Sequence, residues 1–399
     1  MPAPIPSQRH LFDFAEEVTY LNCGYMSPLL HAVREAGDAG LRRKRRPWTV
    51  EGKDFAESPR RAREAFARLI GARPEDVAIV PAVSYGVAVA AANVEVRRGQ
   101  NLVLLAGQFP SNVYAWMRLA ERAGATVRHV PRPADGDWTP GVLETIDDDT
   151  ALAAIPNFHF SDGSRVDLVA VGRALREVGA LLIVDGTQSI GAVPTDVGEL
   201  RPDYLVCAGY KWLLGPYGVS FLYVAPRHHG GRPIEDNPGG RDFKFESGWM
   251  GQFLSVEQPY HPDARRFDQG QADVFNAVPQ AVAALEQILA WGVEDLYATL
   301  ALLTASISGR AAALGLGCVP TRHHGGHLVG IAFPGETSET VQRELKLARV
   351  YVEKVDQYLR LSPHLYNSAE DIDRFFEVVE GSLAAHGLPT SCHAAGRAL

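Results

Sequence analysis

The sequence predicts an α/β protein: a large domain on a mainly parallel sheet flanked by helices, followed by a smaller α+β domain. Two observations carry this. Between residues 75 and 224, short apolar runs alternate with segments whose apolar residues recur every three to four positions. Such repeated strand–helix alternation implies parallel strands covered by helices. From about residue 270 the pattern turns almost continuously helical, then carries two short strand-like runs and a final helix. At 399 residues the chain is long enough for both units.

The elements follow in order. Residues 1–20 are Pro-rich, then polar, and are expected to pack on the smaller domain. Residues 22–28, Asn-Cys-Gly-Tyr-Met-Ser-Pro, are either plain turn chemistry or a loop folded over the site, and Asn22 is the candidate substrate contact there. Helices are expected over 29–43 and 58–70, the second closed by Gly71. The basic run at 42–46 ends in Pro47 and reads as a solvated helix face. A strand over 75–80 leads to Ser84 and Gly86, which open a helix over 87–93. A hydroxyl and a glycine at a helix start can bind a phosphate, or can simply cap the helix.

Strands over 101–106, 126–130 and 150–155 come next, with a helix between the first two and a Pro- and Asp-rich loop after the second. A helix over 167–178 precedes an apolar run, 181–185, that ends abruptly at Asp185. The run 204–208 then delivers Lys211 between Tyr210 and Trp212, and 219–224 is the last strand of the large domain. Residues 225–269 are rich in Gly, Pro, Asp and aromatics, as long functional loops are. In the tail, 327–333 and 358–362 are strand-like, 336–347 is helical, and Ser-Ala-Glu-Asp at 368–371 starts a helix to 386. The divisions are 21–269 for the large domain, 270–386 for the small one and a disordered 387–399.

Composition excludes several classes. A net charge of −8 leaves no surplus of Lys and Arg for nucleic-acid phosphates. Four scattered cysteines without a CxxC pair suggest neither a disulfide framework nor a metal site. The N-terminus has no basic-then-apolar leader, and no apolar run approaches the roughly 20 residues of a membrane span. The expectation is a cytoplasmic enzyme.

In an open α/β sheet, ligands bind just past the carboxyl ends of the strands. Asp185 and Lys211 therefore stand side by side at two strand ends. An acid and a lysine so arranged are what pyridoxal phosphate needs: a Schiff-base lysine and an acid on its ring nitrogen.

With these landmarks the chain resembles the class V aminotransferase family of pyridoxal-phosphate enzymes (fold type I). Asp-Gly-Thr-Gln-Ser-Ile-Gly from Asp185 and Gly-Tyr-Lys-Trp-Leu-Leu-Gly-Pro around Lys211 carry the resemblance, with Phe109-Pro110-Ser111-Asn112 as a further match. It implies that Lys211 holds the cofactor and shuttles the substrate α-proton, that Asp185 pairs with the ring nitrogen, and that Gln188 bonds the phenolic oxygen. It makes Phe109 the stacking aromatic, Val83 and Ser84 the phosphate turn, and Tyr210 a phosphate and proton-transfer residue. Trp249 and Gln271 would reach the phosphate, often of the neighbouring subunit, which implies a homodimer with shared sites. Arg360 would grip the α-carboxylate of an amino-acid substrate.

The chain departs from its relatives in two ways. Cysteine desulfurases carry a nucleophilic cysteine shortly before the carboxylate arginine, and residues 349–358 contain none. Kynureninases carry Asp-Leu-Ala-His where this chain has Asp-Gly-Thr-Gln. The expected activity is transamination, or cysteine-independent C–S or C–C lyase chemistry, on a small α-amino acid or conjugate. Epimerisation of the isopenicillin N type, or cofactor binding without catalysis, are the alternatives.

Overall fold

A computed structural model describes residues 4–242, 259–334 and 337–387. Strand β1 (Thr19–Tyr20) precedes helices α1 (His31–Lys44) and α2 (Gly52–Leu69). The large domain then runs β2 (Val77–Val80), α3 (Val83–Asn93), β3 (Asn101–Leu105), α4 (Tyr114–Ala123), β4 (Thr126–Val130), α5 (Thr139–Thr145) and β5 (Thr150–Pro156). It continues with α6 (Leu168–Glu177), β6 (Leu181–Asp185), β7 (Tyr204–Ala208) and β8 (Ser220–Val224). These form one seven-stranded sheet in the order β2-β8-β7-β6-β5-β3-β4.

Strands β3 to β7 pair in parallel, whereas β8 and β2 are antiparallel additions at one end. The connection from β7 to β8 holds no crossover helix, so β8 can only return antiparallel. Strands β2, β3, β5, β7 and β8 are buried at every residue, which is why they read as unbroken apolar runs. Edge strand β4 instead exposes Thr126, Arg128 and His129, a pattern that discourages edge-to-edge pairing.

Local signals set most boundaries. The Asp167 carboxylate caps α6 by accepting from the amides of Val169 and Ala170. Helix α2 begins earlier than expected: Glu51 and Asp54 form a capping box, and Pro59 is carried inside the helix. The Pro- and Asp-rich loop after β4 contains the short helix α5, opened by a proline in its first turn.

The helical stretch after residue 270 is two helices, Ala277–Trp291 and Val293–Ala313, set 79° apart around Gly292 at φ 77°. The first buries Val278, Ala281, Leu285 and Ile288 in the same core as Val33 of α1 and Phe66 of α2. It packs with the large domain, as do Val293, Leu296 and Leu300 of the second helix, so the change of packing partner falls between Leu300 and Ile307 and not at the expected residue 270. The second sends Ile307 and Ala311 into the core of the smaller unit.

That smaller unit holds β9 (Gly317–Cys318), β10 (Val329–Ala332), β11 (Val350–Tyr351), β12 (Glu353–Val355) and β13 (Tyr358–Leu361). Four of them form an antiparallel sheet ordered β12-β13-β10-β9, and β11 pairs in parallel with β1. The N-terminal segment is fastened to C-terminal elements: Gln8 N donates to Leu365 O at 2.6 Å and Thr19 Oγ1 to Asp371 Oδ1 at 2.8 Å. No single helix among the described residues is long and apolar enough to cross a membrane.

Candidate active site

A cavity of about 170 Å³ opens past the carboxyl ends of β5, β6 and β7, against the N-terminus of α3. Asp185 is the last residue of β6 and pairs with Val206 of β7; Lys211 follows three residues after β7 ends. The sheet register therefore brings the acid and the lysine to one wall.

Asp185 Oδ1 accepts from Thr187 N at 3.0 Å, and Thr187 Oγ1 accepts from Ala208 N at 3.3 Å, tying the two strand ends together. Burial pushes the Asp185 carboxyl up, against the pull of the Thr187 bonds and the Lys211 charge. Lys211 is 6% exposed. Its Nζ lies 5.2 Å from the Phe109 ring centre and 5.7 Å from that of Tyr210. Burial first, then the positive charge of Arg360, brings the ammonium down to about 8.

Two turns hold these residues. Gly186 N donates to Val206 O at 2.8 Å, and the turn it starts ends at Gly191, where φ is 98° and a Cβ would collide with the Trp212 carbonyl. Only glycine fits there. After Lys211, Leu214 N returns to Lys211 O at 3.0 Å and Gly215 N to Gly209 O at 2.8 Å.

Across the cavity α3 begins without a side-chain cap, because Ala82 occupies the capping position. The amides of Val83 and Ser84 have no partner among the described residues, and both residues line the cavity. Free amides at a helix N-terminus fit a phosphate. Phe109 projects from a turn locked to β5, since Gln108 Nε2 donates to Asn112 O at 2.7 Å and to Ala154 O at 3.0 Å.

The other candidates are distributed unevenly. Gln188 and Tyr210 line the cavity. Arg360 and Asn22 lie behind it. Arg360 is 3% exposed; Nη1 donates to Phe160 O at 2.9 Å and Nη2 to Asn22 Oδ1 at 3.4 Å. Its Nε has no partner, and no carboxylate among the described residues pairs with it. Burial brings its pKa down to about 10, opposed by Glu353. Gln271 is exposed and outside the cavity of this chain, and Trp249 lies outside the described residues.

Sequence reasoning missed Thr187, Phe158, Phe160 and Tyr217, all of which line the cavity. Thr187 was signalled by its position in the turn after Asp185. Tyr217 was not: it stacks on Tyr210 with ring centres 3.9 Å apart, across a loop with no periodic pattern. Burial raises the Tyr210 hydroxyl to about 12.

A buried acid and a lysine at neighbouring strand ends, facing uncapped helix amides, define a pyridoxal-phosphate enzyme of fold type I. The chain belongs to the class-V aminotransferase family, whose model matches residues 44–375. It is 31% identical to the uncharacterized aminotransferase YcbU of Bacillus subtilis (strain 168), over 92% of this chain and 95% of that one. It is 27% identical to isopenicillin N epimerase of Amycolatopsis lactamdurans, over 91% and 94% of the two chains. The fold is similar to that of apo cysteine desulfurase from Thermococcus onnurineus NA1, with TM-score 0.84, 20% identity and coverage of 96% and 100%. A C-DES variant with glycine covalently linked to the PLP cofactor gives TM-score 0.83 at 20% identity, over 94% and 99% of the two chains.

Proposed function

We propose that the chain transforms a small α-amino acid or an amino-acid conjugate, by transamination or by cysteine-independent lyase chemistry that breaks a C–S or C–C bond. When bound, pyridoxal phosphate supplies an electron sink for charge developing at the substrate α-carbon. The chain's own residues do the rest. Lys211 would anchor the cofactor through Nζ and take and return the α-proton, a task suited to an amine that burial brings down to about 8. Asp185 keeps a proton on the ring nitrogen, and the cation beside it relieves its burial. The amides of Val83 and Ser84 bind the phosphate, with Tyr210 beside it, while Phe109 stacks on the ring and Gln188 donates to the phenolic oxygen. Trp249 and Gln271 serve the neighbouring site of a homodimer.

The observation that carries an amino-acid substrate is Arg360, a buried guanidinium with an unpartnered Nε and no carboxylate paired with it among the described residues. A planar fork in that state suits an α-carboxylate, with Asn22 orienting it. Support for cysteine-independent chemistry comes from the thiols: Cys23 and Cys207 are buried, burial pushes both up, and neither lines the cavity. Epimerisation is the second reading, favoured by the similarity to isopenicillin N epimerase and by its need for the same proton exchange.

A screen of amino acids against the cofactor-loaded protein tests this. Keto acid release with conversion of the cofactor to its amino form means transamination, and pyruvate, alanine or sulfide means cleavage. Deuterium entering Cα with loss of optical purity means epimerisation. No change with any amino acid overturns the reading.

A further inference from the structure

Behind the cavity, a hydrogen-bond set decides which way the Gln188 amide faces. Its Oε1 accepts from the Trp212 indole Nε1 at 2.9 Å, and its Nε2 donates to Gly24 O at 3.0 Å. An indole N–H can only donate and a peptide carbonyl can only accept. The amide therefore cannot be turned round without losing both bonds, and its oxygen belongs on the Trp212 side. Nε2 carries a second hydrogen that no described residue takes, and Gln188 lines the cavity. The amide thus has an N–H donor left to offer the cavity.

The two partners are themselves fixed. Trp212 is fully buried and sits edge-on to His327, with ring centres 4.8 Å apart. The Nε2 of that histidine faces the peptide carbonyl of Gln188. Gly24 is tied to β13's exit, because its amide donates to Ser362 Oγ at 2.9 Å.

We propose that Trp212 is a positioning residue: its indole N–H locks the Gln188 amide with nitrogen toward the cavity, making that wall a donor selective for an anionic oxygen. The inference rests on the reading above, in which Gln188 meets the cofactor's phenolic oxygen. A fixed donor there favours the form with more negative charge on that oxygen. It lowers the pH midpoint of the bound cofactor's absorption change.

The test is a pH titration of that absorption band in the cofactor-loaded protein. Trp212→Phe keeps an aromatic ring but leaves the amide held by the Gly24 carbonyl alone, and the midpoint rises by up to about one pH unit, the scale of one lost charge-assisted hydrogen bond. Gln188→Leu raises it as well. The double variant shifts no further than Gln188→Leu alone, because Trp212 acts only through the amide. An unmoved midpoint in Trp212→Phe, or additive shifts in the double variant, overturns the proposal.

If Trp212→Phe does not fold, Gln188→Glu decides. It keeps the size of the side chain and turns the cavity-facing donor into an acceptor, so its midpoint must lie above that of Gln188→Leu. An equal or lower midpoint overturns the proposal. A wild-type protein that takes up no cofactor band overturns the cofactor reading and this proposal together, whereas a band that forms and does not move overturns the proposal alone.

Discussion

Arg360 and Glu353 face each other across the β12–β13 ladder, yet their charges are bridged and not in contact. Asn22 stands between them, its Oδ1 accepting from Arg360 Nη2 at 3.4 Å and its Nδ2 donating to Glu353 Oε2 at 3.2 Å. The arrangement leaves the guanidinium oriented without neutralising it at short range. Arg360→Gln is expected to lower kcat/KM roughly a hundredfold, the scale of a buried charge pair losing one partner. The cofactor spectrum should stay unchanged. Assay of a substrate analogue lacking the α-carboxylate checks the cause, since such an analogue should lose nothing in the variant.

Lys211→Ala removes the covalent anchor of the cofactor. The variant should fold, because the ammonium makes no ion pair among the described residues and faces only the Phe109 and Tyr210 rings. It should show no long-wavelength band on addition of pyridoxal phosphate, as read by absorbance after gel filtration. A band that survives filtration would assign the anchor to another residue.

Cofactor capture by the apoprotein should depend on pH. The lysine attacks as the neutral amine, and burial with the nearby Arg360 charge brings its pKa down from the ordinary lysine range to about 8. A lowered pKa means the reactive form is dominant above pH 8. The capture rate, followed by stopped-flow absorbance, should rise through pH 8 and level off well before pH 10. A rate still climbing through pH 10 would mean an unshifted lysine.

Arg63 of α2 and Asp268 form a buried ion pair, and Asp268 Oδ1 also accepts from Ile79 N at 2.8 Å. The pair fastens α2 and the chain after residue 263 to strand β2. Burial holds the Asp268 carboxyl up at about 6 despite the arginine. Desolvation therefore outweighs attraction, and the pair orients these elements more than it stabilises them. Arg63→Ala leaves a buried carboxylate alone and should cost about 3–5 kcal/mol in urea unfolding. Replacing both residues with apolar ones should cost much less.

The sequence made some of this legible because the signals were local. Asp185 ends an apolar run, Asp167 caps α6, and Ser368 with Asp371 boxes the last helix. Each signal involves residues within one or two turns or a single strand, where side-chain chemistry acts directly on the backbone. The sequence misplaces the start of α2: it predicts the helix from residue 58, while the capping box of Glu51 and Asp54 opens it at Gly52 and Pro59 lies inside it.

By itself the sequence determined the alternation of strands and helices, and with it the parallel sheet that sets Asp185 and Lys211 at neighbouring strand ends. The tertiary structure alone decided what surrounds them. The Gln188 amide has its oxygen on Trp212 and its nitrogen on the Gly24 carbonyl because those two residues arrive from distant points of the chain. Phe160 reaches the cavity, and its carbonyl meets Arg360 from another domain. Those contacts depend on how the chain doubles back, and periodicity and propensity, which act over a few residues, carry no record of that path.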